Sequence, residues 1–419
     1  MITADTDAFL VEEFPAARPS LRLSVVTETW PPEINGVALT LSRLVQGLCA
    51  RNHQVQLIRP RQTRADAARS DEGFEELLMR GMPIPRYPEL KLGLPSKGAL
   101  VRAWTLQRPD LVHIATEGPL GWSALQAARR LRLPVTSDFR TNFHAYSRHY
   151  GVGWLKTPIA AYLRKFHNLT RCTMVPTQAL RAELQAIGFH NVQVVARGVD
   201  TQRFTPERRS EALRAQWGAG PDTLVMIAVG RLAPEKNLEV VVRAHEAMRA
   251  VRSDVKLVFV GDGPQRAALQ QRCPQAVFAG MRRDTDLAAH YASADLFGFA
   301  SLTETFGNVT LEALASGLPV LAFDTAAAGD WVRHGHNGWL AAPHDPEGFV
   351  RQAAALAHEP ARVRHAASQA RAQVAPLDWA QIARQVEDIF LRTTGWPVLP
   401  GARDAQASSA FHSPFTRAL

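Results

Sequence analysis

Along this chain, short apolar runs rich in β-branched residues alternate with longer stretches whose apolar positions recur at helical spacing. From residue 21 the runs LRLSVVT (21–27), HQVQLIRP (53–60), DLVHIAT (110–116), LPVTSDF (133–139), RCTMVPT (171–177) and NVQVVAR (191–197) read as strands. The pattern breaks at RGVDTQRFTPERRS (197–210), where Gly198, Pro206 and a cluster of charges interrupt it. It restarts with TLVMIAVG (223–230), VKLVFVG (255–261), AVFAG (276–280), ADLFGFA (294–300), LPVLAF (318–323) and GWLAA (338–342). Strands separated by helices have no hairpins to pair through, so each set predicts a parallel sheet covered on both faces.

The expected organisation is therefore α/β, with two Rossmann-like, doubly wound domains in tandem. We expect a frayed segment over 1–20, a first domain over 21–200, a second over 207–375 and a flexible tail over 396–419. The helical stretch at 376–395 either ends the second domain or crosses back to the first. Ligands of such sheets bind beyond the carboxyl ends of the strands, which places the expected site in a cleft between the domains.

Composition sharpens this only in part. With 419 residues, 46% apolar and 21% charged, the chain has material for two or three ordinary cores. Its net charge of +9 favours anionic partners: nucleic acid, phosphorylated small molecules or an anionic membrane surface. No basic low-complexity tail, paired Cys/His finger or aromatic-basic motif accompanies that charge, so nucleic acid is not the expected partner. The acidic N-terminus does not read as a secretory signal, and no run approaches the roughly 18 apolar residues of a membrane span. Three widely spaced cysteines fit a reducing cytoplasm, with attachment to the inner membrane face as the alternative location.

The chemistry concentrates in SLTETFGNVTLEALASGLPV (301–320), which sets Glu304 and Glu312 eight positions apart around a glycine turn. Asn308 reads as the cap of a helix over about 309–316, with Phe306 and Gly307 in the loop before it. The free amides of Gly307, Asn308 and Val309 then face the cleft as an anion cradle. Carboxylates beside a phosphate accept hydrogen bonds from sugar hydroxyls, so the set suits a nucleotide sugar, with Glu312 on the ribose and Glu304 near the donor sugar. A plainer account also fits: Glu304 as a surface loop residue and Glu312 as a favourable charge in a first helical turn.

This stretch resembles the E-x(7)-E region of the retaining family 4 glycosyltransferases, enzymes of the GT-B fold whose two Rossmann-like domains face each other across a nucleotide-sugar cleft. Further matches follow in order over roughly 21–390. VGRLAPEKNLEVVV (229–242) is similar to the family's diphosphate clamp, which implies Arg231 and Lys236 as the catalytic cations on the leaving group. FVGDGP (259–264) supplies the tight glycine turn and lacks the G-x-G-x-x-G of dinucleotide dehydrogenases. FAGMRRDTDLAAHYASAD (278–295) resembles the base-facing segment, implying backbone contacts near Gly280 and Met281. Its DTD reads as an N-cap at Asp284 with Asp286 in the first turn rather than as a metal site, so no metal or other cofactor is expected.

In the first domain, Asn35-Gly36-Val37 resembles the family's glycine loop, where Gly36 lets the backbone approach a phosphate or sugar. The departure is TSDFRTNFHAYSRHYG (136–151), where the family carries a His-Thr pair and this chain has Arg140-Thr141. Arginine is no general base but holds a phosphate or acidic sugar; His144, four residues on, is the alternative for the histidine's role. The basic, aromatic stretch 147–171 reads either as a patch docking on anionic lipid or as an ordinary helix with a wet basic face. The resemblance implies a hexosyltransferase, most nearly a GDP-mannose-dependent one, acting on a lipid or glycan hydroxyl. Alternatives are a UDP-hexose transferase, a sugar-nucleotide epimerase and a non-catalytic nucleotide-sugar-binding protein.

Overall fold

A computed structural model describes residues 20–33, 36–63, 65–84, 87–140, 156–304 and 306–396. The first run of strands comprises β1 (Arg22–Val26), β2 (Gln54–Pro60), β3 (Ser70–Asp71), β4 (Phe74–Met79), β5 (Gly81–Ile84), β6 (Tyr87–Gly93), β7 (Leu111–Ile114), β8 (Val135–Asp138), β9 (Cys172–Val175) and β10 (Val192–Val194). Eight of them form one sheet in the order β10-β9-β8-β7-β1-β2-β4-β3, parallel throughout except for the β3–β4 pair. The remaining two, β5 and β6, make a separate antiparallel ribbon.

The second run comprises β11 (Val225–Val229), β12 (Lys256–Val260), β13 (Val277–Gly280), β14 (Leu296–Phe299), β15 (Val320–Phe323) and β16 (Gly338–Ala341). They form a six-stranded, wholly parallel sheet in the order β13-β12-β11-β14-β15-β16. Register is pinned at its centre, where Met226 lies opposite Leu257 on one side and Leu296 on the other. Helices cover both faces, so β7, β8, β14 and β15 are buried along their whole length. Each fully buried Val or Leu among them is worth about 1.5–3 kcal/mol relative to exposure.

In both sheets the strand order reverses at one point: between β1 and β7 in the first and between β11 and β14 in the second. Neighbouring strands at a reversal send their following loops to opposite faces, and the gap between those loops is a ready-made crevice. Two crossings join the lobes side by side, with the Val199 amide donating to the Leu377 carbonyl at 2.9 Å and Thr201 Oγ1 to Asp378 Oδ2 at 2.9 Å. After the second crossing the Trp379–Thr394 helix packs on the first lobe, against the Gly36–Cys49 helix. Its buried Glu387 accepts from Arg51 Nε at 2.7 Å and lies 2.9 Å from His53 Nε2. The last helix is thus a clasp that returns the chain from the second lobe to the first.

Candidate active site

The candidate residues of the second lobe sit in the two loops that leave β11 and β14, the strands flanking its reversal point. Arg231 and Lys236 line a hollow of about 280 Å³ together with Gly230, Leu232, Phe299 and Ala300. Ser301 Oγ reaches the Glu235 carbonyl at 3.2 Å, which ties the loop after β14 to the loop after β11. Lys236 Nζ is hydrogen-bonded to Glu304, and Ser301 Oγ donates to the same carboxylate oxygen at 2.9 Å. Arg231 is 68% exposed and, among the described residues, pairs with Glu235 at 3.7 Å. Two cations of unequal freedom therefore face one hollow: Lys236 held by a carboxylate, Arg231 free to swing.

Gly307 carries the turn into the next helix with φ of 88°, a left-handed conformation that a side chain would strain. A Cβ there would also lie 3.4 Å from the Phe299 ring and 3.6 Å from Glu304 Cγ. The helix is Asn308–Ala315 and Gly307 is its cap, so the expectation that Asn308 caps it is corrected by one residue. The reason is that the αL bend comes at Gly307, which leaves Asn308 inside the first turn with its side chain free. Its Oδ1 accepts instead from Arg197 Nη1 at 3.4 Å. The amides of Asn308 and Val309, in that first turn, have no intrahelical acceptor.

Glu312, one turn further on, accepts a hydrogen bond of 3.0 Å from the buried hydroxyl of Tyr291. Burial pushes its pKa up to about 7, against the opposing pull of the Tyr291 hydroxyl and the Arg203 charge. An unfolded chain loses this proton near pH 4.5, whereas the folded chain keeps it until about pH 7. The glutamate's contribution to stability therefore falls as pH rises through that window and stays at its most unfavourable above it. Glu312→Gln, which retains an acceptor for Tyr291, is expected to raise the melting temperature at about pH 8 while changing it little at about pH 4.5. Differential scanning fluorimetry across pH reads this directly; equal shifts at both ends would contradict it.

The segment over 278–295 lies alongside. Gly280 ends β13 with φ of 74°, and its carbonyl accepts from the Gly261 amide at 2.8 Å. Gly261 in turn presses on the loop after β11: a Cβ there would stand 1.9 Å from the Gly230 carbonyl oxygen. That close approach explains the glycine in FVGDGP. Met281 is 61% exposed. Asp284 is not the cap of the Asp284–Ser293 helix; Arg283 holds that position, and Asp284, with φ of 49°, pairs with Arg203 at 2.8 Å.

From the first lobe, Gly36 opens the Gly36–Cys49 helix after β1, and a Cβ on it would touch Arg197 Nη1 at 3.5 Å, an ordinary contact. Nothing in the protein itself demands glycine there. Arg140 follows β8 and is bound by Asp138, its Nε lying 2.8 Å from Oδ2. Burial pushes the Asp138 pKa up, but the charges of Arg140 and His113, the latter at 3.4 Å, outweigh it and hold this carboxyl well below the usual range. Asn35, Thr141, His144, Tyr150 and Trp154 lie outside the described residues. Asp138, Phe139, Arg140, Arg197 and Trp379 line a second hollow of about 430 Å³ at the seam with the last helix.

Sequence patterns missed Arg197. It follows β10 as the polar end of NVQVVAR, and only the fold shows it among Gly36, Phe306 and Asn308. Phe306, itself buried, supports it from below, with the guanidinium 5.5 Å from the ring centre.

Comparison with known proteins places this geometry. Residues 34–203 match the model described as Glycosyltransferase Family 4, and residues 223–359 the one described as Glycosyl transferases group 1. Over 370 residues the chain is 35% identical to a GDP-mannose-dependent alpha-mannosyltransferase of Mycobacterium tuberculosis, covering 87% of this chain and 95% of that one. The chain belongs to the family 4 glycosyltransferases. A relative from Mycolicibacterium smegmatis with the same description is 34% identical over 370 residues, 87% of this chain and 96% of its own. Among solved structures, sucrose-phosphate synthase from Thermosynechococcus elongatus superposes with a TM-score of 0.70 at 18% identity, covering 90% of this chain and 99% of its own. Anabaena HepE in complex with UDP gives 0.69 at 18% identity, covering 89% and 100%. The fold of this glycosyltransferase is thus GT-B.

Proposed function

We propose that this family 4 glycosyltransferase moves mannose from GDP-mannose to an acceptor hydroxyl with retention of anomeric configuration. The observation that carries the reading is that Arg231 and Lys236 share one hollow at the second sheet's reversal point, where Glu304 holds Lys236 and Gly307, at the start of the next helix, lies against Phe299 of the same hollow. The donor assignment rests on the relatives described as GDP-mannose-dependent alpha-mannosyltransferases; a UDP-hexose is the second reading. In the reaction the bond between the sugar C1 and the terminal phosphate oxygen breaks, and a bond from C1 to the acceptor oxygen forms on the same face. The acceptor's proton passes to the departing phosphate, so no protein base is required.

Arg231 and Lys236 stabilise the diphosphate as its charge develops, assisted by the amides at 307–309. Without donor, Lys236 and Glu304 satisfy one another. An arriving phosphate takes the lysine and releases Glu304 to accept from a sugar hydroxyl. Glu312 takes the ribose, and Gly36 and Arg140 close the site from the first lobe. Because fixed protein charge carries the leaving group, we propose that no divalent metal takes part, and EDTA is expected to leave turnover unchanged.

The acceptor side is read as lipid or glycan. The Lys156–Asn168 helix exposes Tyr162, Arg164 and Lys165, and this basic and aromatic content suits an anionic membrane. No helix among the described residues is long and apolar enough to cross a membrane. Sedimentation with anionic vesicles at low salt tests this attachment, and absence of binding there removes it. Incubation of the purified protein with GDP-mannose and a membrane lipid extract tests the transfer. Mannosylated product with release of GDP is the expected result; transfer only from UDP-sugars would replace the donor, and interconversion of the sugar nucleotide without acceptor would point to an epimerase.

A further inference from the structure

The first lobe offers the site two guanidinium groups, and the structure treats them differently. Arg140 is 12% exposed and tied to Asp138. Arg197 has no carboxylate within ion-pairing distance among the described residues. Its Nε is buried without a hydrogen-bond partner, and its Nη1 has only the long 3.4 Å contact to Asn308 Oδ1. A guanidinium carries five N–H donors, and burying it so poorly satisfied is unfavourable unless an anion completes the site. On the first-lobe side, a Cβ on Gly36 would stand 3.5 Å from Arg197 Nη1, so the helix that Gly36 opens passes close to the guanidinium.

Arg197 therefore has unsatisfied donors next to the N-terminus of the Asn308–Ala315 helix, whose first amides have no intrahelical acceptor. Two independent features, one from each lobe, present positive groups to the same point. A tetrahedral anion accepting two parallel N–H bonds from the guanidinium and one or more from the amides matches both. Burial and the neighbouring Arg140 charge lower the pKa of Arg197 to about 9, against the opposing pull of Asp138 and Glu304, so the group remains charged at neutral pH.

We infer that Arg197, rather than Arg140, is the first lobe's ligand for the terminal phosphate of the nucleoside diphosphate, gripping it jointly with the amides of Asn308 and Val309. Arg140 then serves as a positioning residue, its charge spent on Asp138 and its bulk lining the seam. The inference rests on the nucleotide-sugar reading above and adds a residue to it. It also makes the phosphate itself a bridge between the lobes, because Arg197 precedes the first crossing and the amides lie beyond it.

The test is isothermal titration of wild type, Arg197→Met, Arg197→Lys and Arg140→Met with whichever of GDP, UDP and ADP wild type binds most tightly, and with its parent nucleoside. Loss of a charge-assisted contact predicts that Arg197→Met weakens the diphosphate about tenfold to hundredfold and leaves the nucleoside unchanged. Arg197→Lys is expected to recover part of that loss, since it keeps the charge without the fork, and Arg140→Met to lose less than Arg197→Met. A purely structural role would weaken diphosphate and nucleoside alike, and that result overturns the inference. So does wild-type diphosphate affinity in Arg197→Met, or in Arg197→Lys should the methionine variant not fold. If wild type bound none of the three diphosphates, the nucleotide-sugar reading itself would fall and this inference with it.

Discussion

Replacing both Arg231 and Lys236 by alanine is expected to lower the turnover number by about four orders of magnitude, each lost leaving-group contact costing roughly a hundredfold to a thousandfold. The fold should tolerate the change. Arg231 is mostly exposed, and the Lys236–Glu304 pair, at 24% and 18% side-chain exposure, is close to the surface class whose net worth is about 0–1 kcal/mol. Melting temperature should therefore barely move while activity collapses. The pair adds a second, sharper expectation. In Lys236→Ala alone, Glu304 loses its cation and stands unpaired beside the incoming phosphates, repelling them. Adding Glu304→Gln to Lys236→Ala is expected to restore part of the donor affinity, whereas Glu304→Gln in the wild-type background should not improve it. This sign reversal is the signature of coupling between neighbouring charges. Wild-type turnover in the double alanine variant would remove the leaving-group mechanism; a Glu304→Gln effect of the same sign in both backgrounds would remove the exchange of partners.

How legible was this site in the sequence? The strands whose apolar runs are short and β-branched were readable, from LRLSVVT to GWLAA, because parallel strands buried on both faces leave an unmistakable pattern. Strands β3 to β6 were not. FEELLM carries Glu75 and Glu76, and the buried Glu76 is paired with Arg59, whose Nη2 reaches it at 2.9 Å, a partnership 17 residues distant that no local pattern reports. GMPI and YPELKLG contain prolines and glycines that read as loop. In the site, the loop chemistry around Glu304, Gly307 and Glu312 is contiguous and was therefore visible.

Arg197 was invisible for the opposite reason. Its neighbours Gly36, Phe306 and Asn308 come from two lobes, and its want of a carboxylate partner among the described residues is a property of the assembled cleft. For Arg140 the partner, Asp138, stands only two residues away, but that its carboxylate turns onto the guanidinium is shown by the fold and not by the sequence. The cap at Gly307 rather than Asn308 depended on backbone geometry, since both residue types start helices well. Local rules thus recovered the loops, while the pairing state of each charge required the fold.

Arg214→Met is expected to destabilise the second lobe by about 3–5 kcal/mol, the cost of removing one partner from a buried ionic cluster. The residue lies in the short Glu211–Gln216 helix just after the crossing and is fully buried. Its Nη1 donates to the Ser293 carbonyl and to Asp295 Oδ2, both at 2.9 Å, and its Nη2 to the carbonyls of Gly220 at 3.0 Å and Thr223 at 2.7 Å. Asp295 Oδ2 also accepts from the Val225 amide at 2.8 Å, so one guanidinium fastens the entry of β11 to the entry of β14. These are the strands that flank the reversal point. Methionine fills the space but takes one donor away from each of three carbonyls and a carboxylate. Because the cluster sits at the opposite ends of β11 and β14 from Arg231 and Glu304, the damage should register as lost stability before lost chemistry. Urea unfolding of Arg214→Met should show the second lobe melting at lower denaturant, with donor affinity normal under conditions where the variant is folded. Arg209→Ala is the matched control: its side chain is 36% exposed and pairs with Glu211 and Asp295 from the surface, so its cost should stay within about 1 kcal/mol. Equal destabilisation by the two substitutions would mean that the buried arginine is not what locks the strands of the second lobe in register.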